Sequence, residues 1–267
     1  MKIRLSLFLL LVFLTSCMDH YELGEKYFKE GDYKNAEIHF ERAAKIERGN
    51  WRILYNLARS KEELGKYDKA IELYSQSLDI KNTTASHLGR ARCYEHNDYY
   101  LKGAIIDYSE ALKIKRKDNF EAFYGRGRVY IKEVNYYKAL WDINQAINIK
   151  PKHVNAYYHR AIIRSQIGDN TGALNDMNYV IEKTDGFLKA HFNRGIIYQR
   201  LGVHKSAVRD FDKAINLGIK KADVYVRRGK SHLQLGNTIR AFKDFEVAEK
   251  LNPKLRGLKE KIRLKSS

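Results

Sequence analysis

The residue types that usually perform catalysis do not form recognisable active-site patterns in this chain. The sequence contains no glycine-rich phosphate loop, no pair of histidines around a glutamate and no set of cysteines with metal-binding spacing. His153 and His159 are close in sequence, but a separation of six residues places them on different faces of a helix. The sequence therefore predicts a protein that is not an enzyme and that uses no metal, cofactor or small-molecule substrate.

The residue with the most distinctive chemistry is Cys17. Lys2 and Arg4 precede an apolar run over residues 5–14, which is too short to cross a bilayer because a membrane helix needs about 20 residues. A charged start, a short apolar stretch and small residues before a cleavage site are typical of an export signal. The segment Leu14-Thr15-Ser16-Cys17 resembles the bacterial lipobox. That resemblance implies removal of residues 1–16 and acylation of Cys17 by chains such as palmitate. The alternative is a cleaved secretory signal with a chance cysteine, which would give a soluble secreted or periplasmic protein.

The chain is strongly basic, with 50 Lys and Arg against 32 Asp and Glu and a formal net charge of +18. Removal of Lys2 and Arg4 with the signal leaves +16. Such a charge favours acidic partners, most often nucleic acid, but an exported and acylated protein would rarely meet nucleic acid. We therefore expect an acidic protein segment, an acidic glycan or anionic lipid as the partner. If Cys17 is acylated, Cys93 is the only thiol left, and we expect it to be buried in a helix.

The sequence repeats about every 34 residues. Seven alanines mark the period: Ala36, Ala70, Ala104, Ala139, Ala173, Ala207 and Ala241. A second small residue stands about twelve residues before each of them and a large side chain four residues after, as is expected where two antiparallel helices pack closely. Segments such as Gly31-Asp32 and Gly65-Lys66 separate the two helices. Each repeat is therefore predicted to be a helical hairpin, and hairpins this short must stack to bury their apolar faces.

This pattern resembles the tetratricopeptide repeat family. The resemblance implies an all-α fold, a right-handed superhelical solenoid of seven hairpins. In the family register the repeats lie at 17–50, 51–84, 85–119, 120–153, 154–187, 188–221 and 222–255, and the third copy has one extra residue. Residues 256–267 are predicted to form a helix that caps the last repeat, because Leu258 and Ile262 share a face with Leu255.

An arginine and an aspartate recur together in repeats three to seven. The arginines are Arg90, Arg126, Arg160, Arg194 and Arg228, and the aspartates are Asp107, Asp142, Asp176, Asp210 and Asp244. The first two repeats have Leu23 and Leu57 at the place of the arginine, and His39 and Leu73 at the place of the aspartate. This joint change favours pairing within one hairpin, since pairing to the next repeat would leave Arg90 and Asp244 without partners. We interpret these pairs as structural ion pairs. A row of ligand-binding arginines is the alternative.

The resemblance also implies a ligand-binding groove lined by the first helix of each repeat. Carried over to this sequence, the family's contact positions are Tyr55, Asn56, Arg59, Arg92, Tyr124, Arg128, Tyr158, Phe192, Asn193 and Lys230. Arginine beside aromatic rings suits an acidic extended segment, through charge-assisted hydrogen bonds and stacking. The alternative interpretation is that these residues have no binding role and are exposed side chains and partly buried rings that the fold tolerates.

Together these features predict a scaffold or adaptor in a complex of the bacterial cell envelope, held on the outer membrane by the lipid on Cys17, with a protein partner in the groove. A competing hypothesis is that the chain recruits or regulates an envelope hydrolase, or binds acidic glycan or anionic lipid directly through its basic surface. The residues do not distinguish between these functions.

Overall fold

The computed structural model describes residues 18–96, 100–184 and 186–257. Within these residues there are fourteen α-helices and no strand, so the predicted all-α fold with seven hairpins is confirmed. The predicted signal over residues 1–16, Cys17 and residues 258–267 of the predicted capping helix lie outside the described residues. The seventh repeat ends in a short 3-10 helix, Pro253–Leu255.

The helices follow one another in pairs along the chain. They are α1 (18–29), α2 (Tyr33–Ile46), α3 (Trp51–Glu63), α4 (Tyr67–Ile80), α5 (Thr84–Glu95), α6 (Leu101–Ile114), α7 (Phe120–Lys132), α8 (Tyr136–Ile149), α9 (Val154–Gln166), α10 (Asn170–Lys183), α11 (Leu188–Arg200), α12 (His204–Asn216), α13 (Ala222–Gln234) and α14 (Thr238–Leu251). Helix α5 begins one residue before the expected boundary of the third repeat. None of the described helices combines the length and the apolar character that a membrane span requires.

The described residues form two compact units, one up to Ile149 and the other from Lys150 onward. The first contains α1 to α8 and the second α9 to α14. In each unit the two helices of a hairpin pack against each other, and the second helix of one hairpin packs against the first helix of the next. First helices of successive hairpins also touch, as α3 touches α5 and α9 touches α11. We call the surface that these odd-numbered helices form in each unit its first-helix face.

Close approach of the paired helices depends on the small residues found in the sequence. All seven marker alanines are completely buried. A Cβ atom added to Gly24 would lie 2.7 Å from the Phe40 ring, and one added to Gly229 would lie 2.6 Å from the Phe245 ring. Such a contact is too short for real atoms. The glycines therefore let the large side chain of the second helix lie directly against the backbone of the first.

The second and third helices are joined by a charge network around the buried side chains of Glu37 and Lys61. The Lys61 ammonium donates to Glu37 Oε1 at 2.5 Å and to Glu41 Oε1 at 2.9 Å, and Lys66 donates to Glu37 Oε2 at 2.6 Å. Burial raises the pKa of Glu37, but the hydrogen bonds and charges of the two lysines outweigh it, so that this pKa lies below its usual value. The Glu37 carboxylate is therefore ionised and links repeat one to repeat two.

Candidate functional site

Three predicted groove arginines stand at the ninth position of successive first helices in the first unit: Arg59 on α3, Arg92 on α5 and Arg128 on α7. Equivalent positions in stacked hairpins lie side by side, so these arginines form a row on the first-helix face. Their surroundings are not equivalent. The three arginines differ in the residue of the preceding repeat that contacts the guanidinium.

Arg92 is neutralised by a glutamate of the preceding repeat. Its Nε donates to Glu62 Oε1 at 2.6 Å and its Nη2 to Glu62 Oε2 at 3.0 Å, while Nη1 donates to Glu121. The Tyr74 hydroxyl donates to the same Glu62 carboxylate at 2.6 Å. Burial lowers the pKa of Arg92, but the Glu62 hydrogen bond and charge outweigh it and raise this pKa above its usual value. The guanidinium is therefore already occupied by carboxylates of the chain.

Arg128 repeats this arrangement one hairpin further along. Its Nη2 donates to Glu95 Oε1 at 2.5 Å, and the Tyr108 hydroxyl donates to Glu95 Oε2 at 3.2 Å. Glu62 and Glu95 both stand at the twelfth position of their helices. A tyrosine, a glutamate and the arginine of the next repeat thus make one recurring bridge across the first-helix face.

Arg59 lacks such a bridge. At the places of the glutamate and the tyrosine the first repeat has Phe28 and Phe40. The Arg59 guanidinium lies 4.1 Å from the centre of the Phe28 ring and 5.7 Å from that of Tyr55, and its Nη1 donates to Asn56 Oδ1 at 3.3 Å. Among the described residues it forms no ion pair with a carboxylate.

A cavity of about 370 Å³ opens beside Arg59. It is lined by Glu25, Phe28, Lys29, Phe40, Asn56 and Arg59. We call it the Arg59 cavity. Its one carboxylate, Glu25, accepts a hydrogen bond from the Tyr21 hydroxyl at 3.0 Å and forms no ion pair with Arg59 within the described part of the chain. The cavity therefore offers a guanidinium and an aromatic wall to a ligand, and it is the part of the predicted groove best suited to an added carboxylate.

The two predicted asparagines hold the helices together. Asn56 Nδ2 donates to the Tyr21 hydroxyl at 2.9 Å, and Asn193 Nδ2 donates to the Tyr158 hydroxyl at 2.8 Å. In both cases the tyrosine belongs to the preceding repeat, 35 residues earlier. Asn56 is also buried. Burial and the Glu25 contact raise the pKa of Tyr21 to about 12, so the hydroxyl remains protonated and continues to donate.

The remaining predicted groove residues are mostly packed against other rings. Tyr55 lies 5.9 Å from Tyr74, Tyr124 stacks on Phe120 at 5.2 Å, Tyr158 lies 5.1 Å from Phe187, and Phe192 lies 6.0 Å from Phe211. All four predicted rings are half-buried, whereas Lys230 is exposed. These rings contribute one edge to the first-helix face and the rest of their surface to packing.

Each arginine of the second predicted set pairs with the aspartate of its own hairpin. In all five pairs Nε donates to Oδ2 and Nη2 to Oδ1, at distances between 2.5 and 3.0 Å. The pairs are Arg90–Asp107, Arg126–Asp142, Arg160–Asp176, Arg194–Asp210 and Arg228–Asp244. The aspartates are buried, so the pairs lie within the helix packing rather than in a ligand site.

Sequence reasoning missed a third contact of the same arginines. Four of them donate Nη1 to the preceding repeat, at 2.6 to 2.9 Å: Arg90 to Ser75, Arg126 to Ser109, Arg194 to Asn178 and Arg228 to Asp212. The acceptors recur 15 to 17 residues before the arginine. Their types differ between repeats, and only a comparison of equivalent positions would have identified them.

No group of three or more His, Cys, Asp or Glu side chains within the described ranges is arranged to hold a metal ion. Cys93 is buried, and burial raises the pKa of its thiol to about 12. A thiol in this state is a poor nucleophile. The residues that do converge on the first-helix face are arginines, glutamates and aromatic rings, and this arrangement is suited to binding.

Comparison with known proteins agrees with the repeat architecture. Two tetratricopeptide repeat models match the chain, one over residues 14–83 and the other over residues 188–217 and 222–255. The Hsp70-Hsp90 organising protein of Plasmodium falciparum is 32% identical over 93 residues, which are 35% of this chain and 37% of that protein. The chain spans well under half the length of the curated relatives it matches.

Solved structures match a larger part of the chain. A tetratricopeptide repeat protein from Parabacteroides merdae ATCC 43184 superposes with a TM-score of 0.66 at 25% identity, covering 92% of this chain and 98% of that one. YrrB, described as a TPR protein with an unusual peptide-binding site, superposes with a TM-score of 0.60 at 21% identity, covering 67% of this chain and 92% of that one. With helical hairpins in both units and the repeat models matching half of its residues, the chain belongs to the tetratricopeptide repeat family.

Proposed function

We propose that this protein is a non-catalytic scaffold of the bacterial cell envelope that binds an acidic, extended segment of a protein partner on the first-helix face of its first unit. The repeat architecture supports a protein-binding role, as do the names of two similar proteins, an organising protein for Hsp70 and Hsp90 and a TPR protein with a peptide-binding site. The sequence supports the envelope location through the lipobox-like segment that ends at Cys17.

The observation that carries the binding proposal is the unpaired state of Arg59. Arg92 and Arg128 each have a glutamate supplied by the chain, and the Arg59 cavity has a phenylalanine in its place. A carboxylate of the partner can supply to Arg59 the charge-assisted hydrogen bonds that Glu62 supplies to Arg92. Apolar atoms next to that carboxylate can contact Phe28 and Tyr55. Lys29 lines the same cavity, so that its two cations outnumber the single carboxylate of Glu25.

Binding of a defined peptide tests this site. The probe is a labelled peptide of alternating glutamate and leucine, with a glutamine and leucine peptide as its neutral counterpart, and the readout is fluorescence anisotropy. We expect the acidic peptide to bind more tightly, and Arg59→Gln to weaken it about 10-fold or more, since a hydrogen bond to a charged group contributes about 1.5–3 kcal/mol. Lys243→Gln removes one exposed charge from α14 and should have little effect. Equal loss in both variants would mean that net charge, not the Arg59 cavity, attracts the peptide.

Growth with a labelled fatty acid tests the anchor. We expect wild-type protein to carry the label and to fractionate with the outer membrane, and Cys17→Ala to be unlabelled. An unlabelled, freely soluble wild-type protein would remove the lipid from the proposal and leave the binding site unaffected. Anchoring by one acyl chain alone is marginal, so we expect at least two.

A further inference from the structure

The α7–α8 turn and α8 carry large apolar side chains on the protein surface. Val134 is 66% exposed, Tyr137 76% and Trp141 46%. Tyr137 and Trp141 are four residues apart on α8, which places them on one face of that helix, and Val134 lies in the turn that precedes it. We call these three residues the outer patch. They are distinct from the residues of the Arg59 cavity and from the bridges of Arg92 and Arg128.

The other repeats provide an internal comparison for this patch. Residues equivalent to Tyr137 are Lys34, Asp68, Lys102, Thr171, Lys205 and Ile239, and those equivalent to Trp141 are Ile38, Glu72, Ile106, Asn175, Arg209 and Lys243. Only the fourth repeat has an aromatic side chain at both places. Stacking of the hairpins therefore does not require these rings.

Val134 adds a second, independent departure from the repeat pattern. It has a left-handed backbone conformation, with φ of 58°, which a β-branched residue rarely adopts. Glycine stands at the equivalent position in the turns at Gly31, Gly65, Gly168, Gly202 and Gly236. An exposed valine in a strained turn gains nothing from packing within the described structure. Strain of this kind is typical of functional positions.

A basic cleft lies beside Trp141. It has a volume of about 460 Å³ and is lined by Ser109, Leu112, Lys113, Arg116, Phe123, Arg126 and Trp141. Arg116 is exposed and lies 5.9 Å from the Trp141 ring. It has no carboxylate partner among the described residues. Lys113 is paired with Glu110 at 2.6 Å, and Arg126 is held by Asp142.

The equivalent place in the preceding repeats is closed by polar contacts. Asp79 and Asn82 stand where Lys113 and Arg116 stand, and His87 stands where Phe123 stands. The His87 ring bonds to Asn82 Oδ1 at 2.8 Å and to Asp107 Oδ1 at 2.7 Å. The first repeat also has cations at the places of Lys113 and Arg116, namely Lys45 and Arg48, but the second repeat has Leu54 and Glu72 where Phe123 and Trp141 stand. The combination of these cations with two aromatic side chains is therefore a feature of repeats three and four.

We infer that the outer patch and Arg116 dock on an anionic phospholipid surface. Tryptophan and tyrosine favour the level of the headgroups, where their rings are apolar on one side and wet on the other. Val134 would reach the acyl boundary, while Arg116 and the exposed Lys138 would lie at the phosphates. Protruding side chains suit insertion into a lipid surface better than the seating of a peptide. The inference uses the proposed envelope location but not the Arg59 cavity.

The experiment reads the position of Trp141 directly. Trp51 and Trp141 are the two tryptophans of the chain, so Trp51→Phe leaves Trp141 as the sole reporter in the full chain. The protein is mixed with phosphatidylglycerol vesicles or with phosphatidylcholine vesicles, with and without brominated acyl chains. We expect a blue shift of the emission and bromine quenching with phosphatidylglycerol, and much less of both with phosphatidylcholine. If the Trp141 emission is not shifted and is still quenched by iodide with both kinds of vesicle, the inference is overturned.

A relocated reporter separates docking from simple tethering by the N-terminus. Ile239 is 76% exposed at the place of Tyr137 in the seventh repeat, so Ile239→Trp in a Trp51→Phe, Trp141→Phe background carries the reporter in the second unit. We expect this tryptophan to remain unquenched, and equal quenching at both sites would refute a specific patch. In the Trp51→Phe protein, the changes Tyr137→Thr and Arg116→Asn introduce residues that other repeats have at these places. Together they should reduce the bromine quenching of Trp141 at least several-fold.

Two soluble probes distinguish the remaining ligands. Inorganic phosphate should leave the Trp141 emission unchanged, and a shift with phosphate equal to that with vesicles would mean a phosphate site without membrane docking. A shift with the glutamate and leucine peptide, combined with none in vesicles, would assign the patch to a protein partner instead. Either result would overturn the inference and leave the test of Arg59→Gln unaffected.

Discussion

Replacing Phe28 by glutamate should close the Arg59 cavity. The change gives the first repeat the residue that the second repeat has beneath Arg92, where Glu62 holds the guanidinium through contacts of 2.6 and 3.0 Å. The combination of Phe28→Glu with Phe40→Tyr also restores the tyrosine donor, as in Tyr74. An internal carboxylate would then bind the guanidinium that we assign to the carboxylate of the partner.

The size of the effect follows from the interaction that the partner must replace. A hydrogen bond to a charged group is worth about 1.5–3 kcal/mol, and about 1.4 kcal/mol changes an equilibrium constant tenfold. We therefore expect the acidic peptide to bind about 10- to 150-fold more weakly to Phe28→Glu than to wild type. The half-buried Phe28 ring also contributes to the cavity wall. Phe28→Gln serves as the control for its loss, since glutamine has the same shape as glutamate and no charge.

Fluorescence anisotropy with the acidic peptide measures both variants, and their folding is checked by circular dichroism. The informative quantity is the ratio of the dissociation constants of Phe28→Glu and Phe28→Gln. Since both lack the ring, that ratio isolates the new carboxylate. A ratio near one, in folded proteins, would show that Arg59 does not receive the acidic group of the ligand. Raised salt should weaken binding to wild type more than to Phe28→Glu.

Three further predictions concern the buried polar groups. Arg126→Leu should destabilise the protein to urea by about 3 kcal/mol, because it leaves the Asp142 charge buried, and Arg126→Leu with Asp142→Leu should cost less; equal costs would argue against a buried pair. The pKa of Glu37 is lowered in the folded state. The ionised carboxylate therefore stabilises the folded protein fully at a pH above the usual pKa of glutamate, and this stabilisation is lost as the pH falls through the pKa of Glu37 in the folded state. Glu37→Gln should thus lose about 3 kcal/mol at pH 7, and a difference from wild type that did not shrink below about pH 4 would refute this. In a Cys17→Ser background, alkylation of Cys93 at pH 8 should track global unfolding, since the pKa of this buried thiol is about 12; rapid alkylation of the native protein would contradict it.

The helical hairpins could be predicted from the sequence because their determinants repeat. A glycine such as Gly24 and a ring such as Phe40 stand sixteen residues apart in the printed sequence, and the structure places them in direct contact. Turn glycines such as Gly65 take the left-handed conformation for which this residue is suited. Each of these contacts joins neighbours within one hairpin, so regular spacing was sufficient to find them.

The candidate site was less accessible, because its contacts cross from one repeat to the next. The sequence placed Arg59, Arg92 and Arg128 in one class of groove residue, and it gave no role to Glu62 or Glu95. These glutamates lie 30 and 33 residues before the arginines they bind. Spacing alone does not show whether side chains so far apart in sequence will meet. The contact positions of the family therefore predicted which surface the arginines lie on. The hydrogen bonds in the structure showed that Arg59 is the one of the three without a carboxylate partner among the described residues.

The repeats of this chain work as a natural substitution series on one backbone. Contacts that recur are explained by the architecture, since every hairpin must solve the same packing problem, and the pairing of Arg126 with Asp142 is of this kind. A departure from the pattern needs another reason when it leaves a charge unpaired, a ring exposed or a turn strained. Arg59 above Phe28 is such a departure, and so is strained Val134 near exposed Trp141. The first is an open cationic site and the second an exposed apolar one. Stacking of the hairpins requires neither, so ligands from outside the chain are the physical reason we assign to both.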